Sequence, residues 1–350
     1  MSSENSAVRT LRAGFIGAGF WGRFQIAAWR ELPGVQIAAV CDRNTVAAAS
    51  AARIAENAVL YSDAAEMLAS EALDFIDIAA SPDAHEHLVS MAAERHIPVI
   101  CQKPMAPDYE TARRMVEECE RAGTQLLIHE NYRWQAPMRR IKTILTEGRI
   151  GQPFRAHIQF SHGDLALFEN QPYLFAEPHF AMLDMGPHLF DLARFFFGEP
   201  ASVYAREYRI NDKFVGEDVV SAVLGWERLT CTCELSWRTT GYEVFIEGAR
   251  GTIVWDPAFG VRVDTDAGVT VDEMRPEPYP WADPAYGFAH SSIVATNRNL
   301  LSALRGDGEA ETTGRDNLNT MRLLSLALKS AAAGQVLSVR DRASAPASAV

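Results

Sequence analysis

Six residues near the N-terminus, Gly17-Ala18-Gly19-Phe20-Trp21-Gly22, restrict the fold more than any other part of the chain. They follow a short apolar run, Ala13–Ile16, and open a helical pattern. In that setting Gly17 allows the tight turn, Gly19 lets the backbone approach a pyrophosphate, and Gly22 permits close helix–strand packing. The phosphates then sit on the helix N-terminus. The next apolar run, Val35–Val40, leads into Cys41-Asp42. An acid about twenty residues beyond the glycines is placed to accept the ribose hydroxyls. A glycine pattern alone is weak and describes many ligand-free turns. Combined with its flanking elements and Asp42, it predicts a dinucleotide site. Asp42 favours NAD, because a carboxylate repels a 2′-phosphate, whereas Arg43 directly after it leaves NADP open.

The rest of the first 130 residues alternates apolar runs with helical patterns, as a parallel sheet with crossover helices requires. Further strands are expected at Phe75–Ala79, Val99–Cys101 and Leu126–His129, and their near-continuous apolar character suits burial on both faces. After Asp108, a natural N-cap, Tyr109, Ala112, Val116 and Cys119 form one helical stripe. From Phe154 the period becomes two. Phe154, Ala156, Ile158 and Phe160 alternate with Arg155, His157 and Gln159, and Cys231, Cys233, Leu235 and Trp237 alternate with polar neighbours. Such alternation predicts strands with one covered face. The fold class is therefore α/β: an N-terminal Rossmann domain with a parallel sheet over 1–130, then a C-terminal α+β domain over 131–340 with a large, mostly antiparallel sheet. Helices at Met182–Phe197, Ser291–Leu304 and Asn317–Ala332 are expected to cover that second sheet. Residues 341–350 read as a flexible tail.

Composition narrows the partners. Lys and Arg total 33 against 45 Asp and Glu, a formal charge of −12 over 350 residues. Such a surface repels phosphate backbones and anionic lipid, so neither nucleic acid nor membrane is expected as a partner. Five cysteines, an odd number scattered along the chain, form no disulfide framework and suit a reducing compartment. No apolar stretch approaches the roughly 20 residues that span a bilayer. The polar start, Met1-Ser-Ser-Glu-Asn-Ser6, is unlike a signal peptide, so the expected location is the cytoplasm.

Three further places could carry chemistry. Lys103, in Cys101-Gln102-Lys103-Pro104, ends a buried strand, and ligands of open α/β sheets bind outside the carboxyl ends of strands. Pro104 restricts the direction of that lysine, though a lysine at a strand end is often only solvated. Asp184, His188 and Asp191 would share one polar stripe of a helix. Beside them Met185, Leu189, Leu192 and Phe196 would face inward, and Pro187 demands a first turn or a kink. A helix-start acid and a satisfied histidine would look the same. The loops Ser81-Pro82-Asp83-Ala84-His85 and His129-Glu130-Asn131-Tyr132-Arg133-Trp134 lie at strand ends, on the rim where cofactor and substrate would meet. No His, Cys and carboxylate set has metal-ligand spacing, so no metal is expected.

Taken together, these motifs resemble the glucose–fructose oxidoreductase / inositol dehydrogenase (Gfo/Idh/MocA) family. The resemblance rests on Gly17 to Gly22, Asp42, Ser81-Pro82-x-x-His85, Lys103-Pro104, Asn131-Tyr132-Arg133, and Asp184-x-Gly186-x-His188-x-x-Asp191. Gly19–Gly22, Cys101–Pro107, His129–Gln135 and Asn170–Tyr173 look most like its D-apiose dehydrogenase branch. The resemblance implies an NAD(P)-dependent oxidoreductase acting on a CH–OH group of an aldose or polyol. It also implies a catalytic trio of Lys103, Asp184 and His188. By the same resemblance, Phe20, Trp21, Ser81, Pro82, His85, Gln102 and Asn131 join the glycines, Asp42, Arg43 and Lys103 at the cofactor. Asn131 and Trp134 join the trio at the substrate. Gln102 departs from the Glu that most members carry before Lys-Pro. An inositol dehydrogenase, an NAD-dependent sugar lyase or hydrolase, and a non-catalytic sugar sensor stay open as alternatives. The half-covered second sheet points to a homodimer or homotetramer.

Overall fold

A computed structural model describes residues 9–56, 58–163 and 171–339. The expected tail at 341–350 and Asn170 lie outside them. In the first unit, strands β1 (Leu11–Ile16), β2 (Val35–Cys41), β3 (Val59–Tyr61), β4 (Phe75–Ile78), β5 (Val99–Gln102) and β6 (Leu126–His129) alternate with helices. The helices are α1 (Phe20–Trp29), α2 (Thr45–Ile54), α3 (Ala64–Ser70), α4 (Pro82–Ala93) and α5 (Tyr109–Ala122). The strands pair in the order β3-β2-β1-β4-β5-β6, all parallel. The order reverses direction beside β1, which makes the β1–β4 crevice the ligand-binding place of a doubly wound sheet. Local chemistry explains the punctuation. Asp108 accepts the Thr111 amide at the start of α5, and Gly123 closes that helix in the left-handed conformation at φ 66°. The three-residue β3 escaped sequence reading because it is short and two of its residues are exposed.

The second unit contains α6 (Ala136–Thr146), β7 (Pro153–Ser161), α7 (Phe180–Asp184), α8 (Gly186–Phe197) and β8 (Ser202–Tyr208). In close succession follow β9 (Val219–Gly225), β10 (Thr230–Ser236), β11 (Gly241–Gly248), β12 (Gly251–Asp256), β13 (Gly260–Thr265) and β14 (Gly268–Asp272). After α9 (Gly287–Arg305) and α10 (Gly314–Ala333), β15 (Leu337–Ser338) completes a nine-stranded sheet. Its order is β14-β13-β12-β11-β7-β10-β9-β8-β15, antiparallel except where β10 runs parallel to β7. Ala156, Ile158 and Phe160 of β7 and Cys231, Cys233 and Leu235 of β10 are buried, in the alternation the sequence predicts. They form one core with Ile141 and Ile144 of α6, Leu189 and Leu192 of α8, and Leu323 and Leu324 of α10.

The domain expectation needs correcting. The described residues up to Asn131 group with Pro278–Leu318, whereas Tyr132–Glu277 groups with those from Asn319 onward. The segment read as Ser291–Leu304 is therefore no cover for the second sheet. Ile293, Val294, Leu300 and Leu301 of α9 pack with Phe24, Ile26 and Trp29 of α1 and with β1, in the first core. Periodicity reveals that a helix has an apolar face, but not which sheet it lies against.

Candidate active site

In the first unit the glycine turn has the geometry a dinucleotide needs. Gly17 adopts φ +99°, and a Cβ there would lie 2.5 Å from the Ala79 backbone at the end of β4. A Cβ on Gly22 would lie 2.1 Å from the Gly17 carbonyl, so helix and turn pack with no room for a side chain. Above Gly19, the N-cap of α1, a Cβ would meet nothing within 4 Å, and no side chain caps the helix. The first turn of α1 thus starts beside the switch point with no side chain capping it. These residues fit the pyrophosphate of NAD. Phe20 and Trp21 are half-buried on α1, Phe20 against Phe24 and Trp21 near His290.

Asp42, at the end of β2, accepts the Ala18 amide at 2.6 Å through Oδ2 and the Asn44 amide at 2.7 Å through Oδ1. The acid expected at the ribose thus also ties the glycine turn to the second strand. Arg43 beside it is exposed.

Lys103 follows the last residue of β5 and is half-buried, and the Lys103–Pro104 peptide is cis. Three of its expected cofactor-binding neighbours turn out to be internal. His85 is wholly buried; Nδ1 lies 3.2 Å from the carbonyls of Pro104 and Met105, and Nε2 lies 3.1 Å from that of Ala80. Burial pushes its pKa down. It braces the lysine turn against the end of β4 instead of presenting its ring to a ligand. Asn131 donates to the Ala289 carbonyl at 3.0 Å and the Ser292 hydroxyl at 2.8 Å, fastening the end of β6 to α9. Gln102 is buried, and its side chain accepts the Lys103 amide at 2.8 Å. In each case a polar residue, His85 in the first turn of α4 and the other two at strand ends, satisfies groups around the site, a job sequence alone does not separate from ligand binding. Ser81 is exposed at the N-cap of α4, with Pro82 in the first turn.

In the second unit the expected single helix is two. Helix α7 ends at Asp184 and α8 begins at Gly186, with Pro187 in its first turn. Proline lacks an N–H and fits a helix only there, so the stripe is interrupted between Asp184 and His188. Asp184 is half-buried, while His188 is 3% exposed. The His188 ring stacks on Tyr132, centroids 3.8 Å apart and planes 14° apart. Asp191, one turn further, is fully buried and pairs with Arg133 through Nε at 2.8 Å and Nη2 at 2.5 Å. Met185, Leu189, Leu192 and Phe196 face the core as expected. Tyr132 and Arg133 were visible only as part of a loop motif; their partners became evident only in three dimensions. Trp134 is half-buried beneath the Arg139 guanidinium, 4.3 Å from its ring centroid.

One group with metal-ligating atoms within 4.8 Å of one another occurs among the described residues: His179, Glu207 and Glu217. Buried Glu217 accepts the Met182 amide at 2.9 Å, which ties it to α7. Burial pushes its carboxyl up to about 7.

Comparison with known proteins places this geometry. Residues 11–130 match the oxidoreductase family with an NAD-binding Rossmann fold, and residues 138–254 match the GFO/IDH/MocA C-terminal domain. The chain belongs to the GFO/IDH/MocA oxidoreductase family. Within it, the chain is 35% identical to a D-apiose dehydrogenase of Paraburkholderia graminis, over 99% of this chain and 95% of that protein. It is 36% identical to a D-apiose dehydrogenase of Rhizobium rhizogenes, over 94% of this chain and 97% of the other. A solved oxidoreductase from Agrobacterium radiobacter, in complex with NAD+, L-tartaric acid and magnesium, superposes with a TM-score of 0.90 at 35% identity. That match covers 94% of this chain and 98% of the solved one. The GFO/IDH/MocA fold expected from the motifs is therefore the fold this chain has.

Proposed function

We propose that this oxidoreductase is an NAD-dependent sugar dehydrogenase that oxidises an aldose or polyol hydroxyl, with D-apiose to its lactone as the leading substrate. The observation that carries the reading is the near-full-length similarity to two dehydrogenases of that sugar. The first unit binds the dinucleotide and the second the substrate. Bound NAD supplies the hydride acceptor. The chain supplies the proton chemistry, since loss of hydride from a carbinol carbon requires loss of the hydroxyl proton as well. His188 is the general base, its ring plane set by the stack on Tyr132. The Lys103 ammonium stabilises negative charge developing on the substrate oxygen. Asp184 orients the hydroxyl, and Trp134 bounds the sugar.

A turnover assay tests this. With NAD and D-apiose, NADH should accumulate, and His188→Ala and Lys103→Met should each lower kcat by about 10²–10⁴. Dinucleotide binding by fluorescence titration should stay near wild type in His188→Ala. Because both residues serve one proton transfer, the double variant should lose little more than either single. A stronger response to an inositol would move the substrate to the polyols. Product release without net NADH would indicate a lyase or hydrolase, and ligand binding with no turnover would indicate a sensor.

The same reading places the protein in the cytoplasm as a homodimer or homotetramer. All five cysteines are free and buried, in keeping with a reducing compartment, and no described helix is long and apolar enough to cross a membrane. Exposed Tyr208 and Val223 lie on the uncovered face of the second sheet, where a second copy would pack. Light scattering on the purified protein measures that state.

A further inference from the structure

Strand β4 carries an acid where its burial calls for a hydrocarbon. Asp77 is 0% exposed, between Ile76 and Ile78. Its Oδ2 accepts the Trp29 indole N–H at 2.6 Å, and its Oδ1 accepts the Gln25 amide N–H at 2.7 Å. The Gln25 Oε1 in turn accepts the Gln102 amide N–H at 2.9 Å, and the Gln102 Oε1 accepts the backbone N–H of Lys103 at 2.8 Å. Gln25 is 0% exposed and Gln102 6%, so no water competes along this path.

A chain of amides between two fixed ends has a direction. Trp29 Nε1 and the Lys103 backbone N–H can only donate. Asp77 accepts at both oxygens, which obliges Gln25 to turn its NH2 toward Asp77 and its oxygen toward Gln102. Gln102 must then turn its NH2 toward Gln25 and its oxygen toward Lys103. Every member is satisfied with one acid at position 77 and a neutral amide at 102. With the carboxylate moved to the other end, as in Asp77→Asn combined with Gln102→Glu, the chain is equally satisfied but reversed. The carboxylate at position 102 would accept from Lys103 and from Gln25. The Gln25 oxygen would accept from the new amide at position 77, whose own oxygen would accept from Trp29. Two acids would leave one carboxylate oxygen against the Gln25 oxygen. Two amides would leave one N–H facing another.

We propose that Asp77, Gln25 and Gln102 form a directional relay that positions Lys103, with Asp77 carrying the one negative charge that sets the relay's polarity. Gln102 and Asp77 are one device: the neutral residue before Lys103 is matched by the acid in β4, 25 positions earlier. Asp77 touches no reacting atom in this scheme and acts as a positioning residue. His85 holds the other side of the same turn through the Pro104 and Met105 carbonyls. The inference rests on the role of Lys103 in the dehydrogenase reading.

A reciprocal swap tests it, using the full chain with NAD and the substrate found in the turnover assay. Asp77→Asn and Gln102→Glu should each lower kcat at least tenfold, because each leaves one unsatisfied contact in a buried network. The double variant Asp77→Asn/Gln102→Glu should return to within about threefold of wild type, a strongly non-additive cycle. Residues that matter only for packing would give losses that multiply in the double variant, and that result overturns the relay. Thermal unfolding of each protein separates lost folding from lost positioning. If Asp77→Asn does not fold, the double variant is compared with Gln102→Glu alone: higher turnover in the double supports the relay, and equal or lower turnover overturns it. Lys103→Met is run alongside. Near wild-type turnover in Lys103→Met removes the dehydrogenase role of that lysine. An inactive Lys103→Met with no restoration in the swap removes the relay alone.

Discussion

Lys103 and His188 are held in place by different kinds of chemistry. The backbone of Lys103 ends a chain of neutral amides that finishes on one buried carboxylate. His188 lies on a helix fixed from below by a buried ion pair, Arg133 with Asp191, and from the side by the Tyr132 ring. An amide chain fails by turning over: each link survives as a hydrogen bond or becomes a clash. An ion pair fails by exposing charge to a low-dielectric interior, and the cost falls on folding. The relay predicts that a paired mutation reverses the first arrangement with turnover kept within about threefold, whereas the second can only be replaced by an apolar pair. The lysine side should therefore be tunable in activity, and the histidine side should be rigid and costly in stability.

The largest effect should come from the ion pair. Asp191→Ala leaves the Arg133 guanidinium, 7% exposed, without its carboxylate. It should destabilise the chain by about 3–5 kcal/mol, measured by denaturant unfolding. Arg133→Met combined with Asp191→Leu should recover much of that loss, because apolar groups replace the pair while buried Arg194, 3.8 Å from Asp191, keeps its ion pair with Glu199. Recovery of stability without recovery of turnover would show that the pair orients α8 as well as holding it.

A smaller effect is expected at Asp42. Asp42→Ala removes the acceptor for the Ala18 amide as well as the carboxylate at the ribose. Losing hydrogen bonds to a charged group costs about 1.5–3 kcal/mol, so KM for NAD should rise by roughly 10- to 100-fold. NADP should lose less, since the charge that opposes its phosphate is also gone. Equal losses for the two cofactors would assign Asp42 to the turn alone. If the wild type uses NADP as well as NAD, Arg43 governs the choice.

The mildest signature is in pH. Burial pushes Asp77 up to about 7, although the Trp29 and Gln25 hydrogen bonds oppose the rise, and its ordinary value is 3.8. Between those values the folded chain keeps a proton that the unfolded chain has released, so stability is greatest below about 4 from this group and declines as pH rises to about 7. Glu217 in the second unit, pushed up to about 7 from 4.5, adds a slope of the same sign. Asp77→Asn should flatten the first contribution and leave the second, as read from unfolding free energies across that range. An unchanged slope would mean that Asp77 is ionised throughout. Ionised Asp77 sets the relay and also costs stability, a trade expected of an acid kept for positioning.

The chain's own pattern determined the class of each half. A glycine turn between an apolar run and a helix, then an acid about twenty residues on, admits few folds, because each glycine answers a separate steric demand. Those demands appear in the structure as a φ of +99° at Gly17 and as approaches of 2.1–2.5 Å that no Cβ could tolerate. The period-two strands were equally legible, since alternation reports one buried face directly. Lys103 and His188 could be singled out from residue type and position. Their supports could not. His85, Asn131 and Gln102 were placed at the cofactor by the family resemblance, and a polar residue near a strand end looks the same whether it faces a ligand or a carbonyl. Only the folded backbone shows that carbonyls of Ala80, Pro104 and Met105 surround His85. Likewise α9 returned to the first sheet against the order of the sequence, since an apolar stripe carries no address. Asp77 lies inside Phe75–Ala79, which reads as near-continuously apolar, and the sequence reading did not set it apart. Its meaning needed Gln25 and Gln102, residues 52 and 25 positions away, because hydrogen-bond direction is set by partners in space and not by neighbours in the chain.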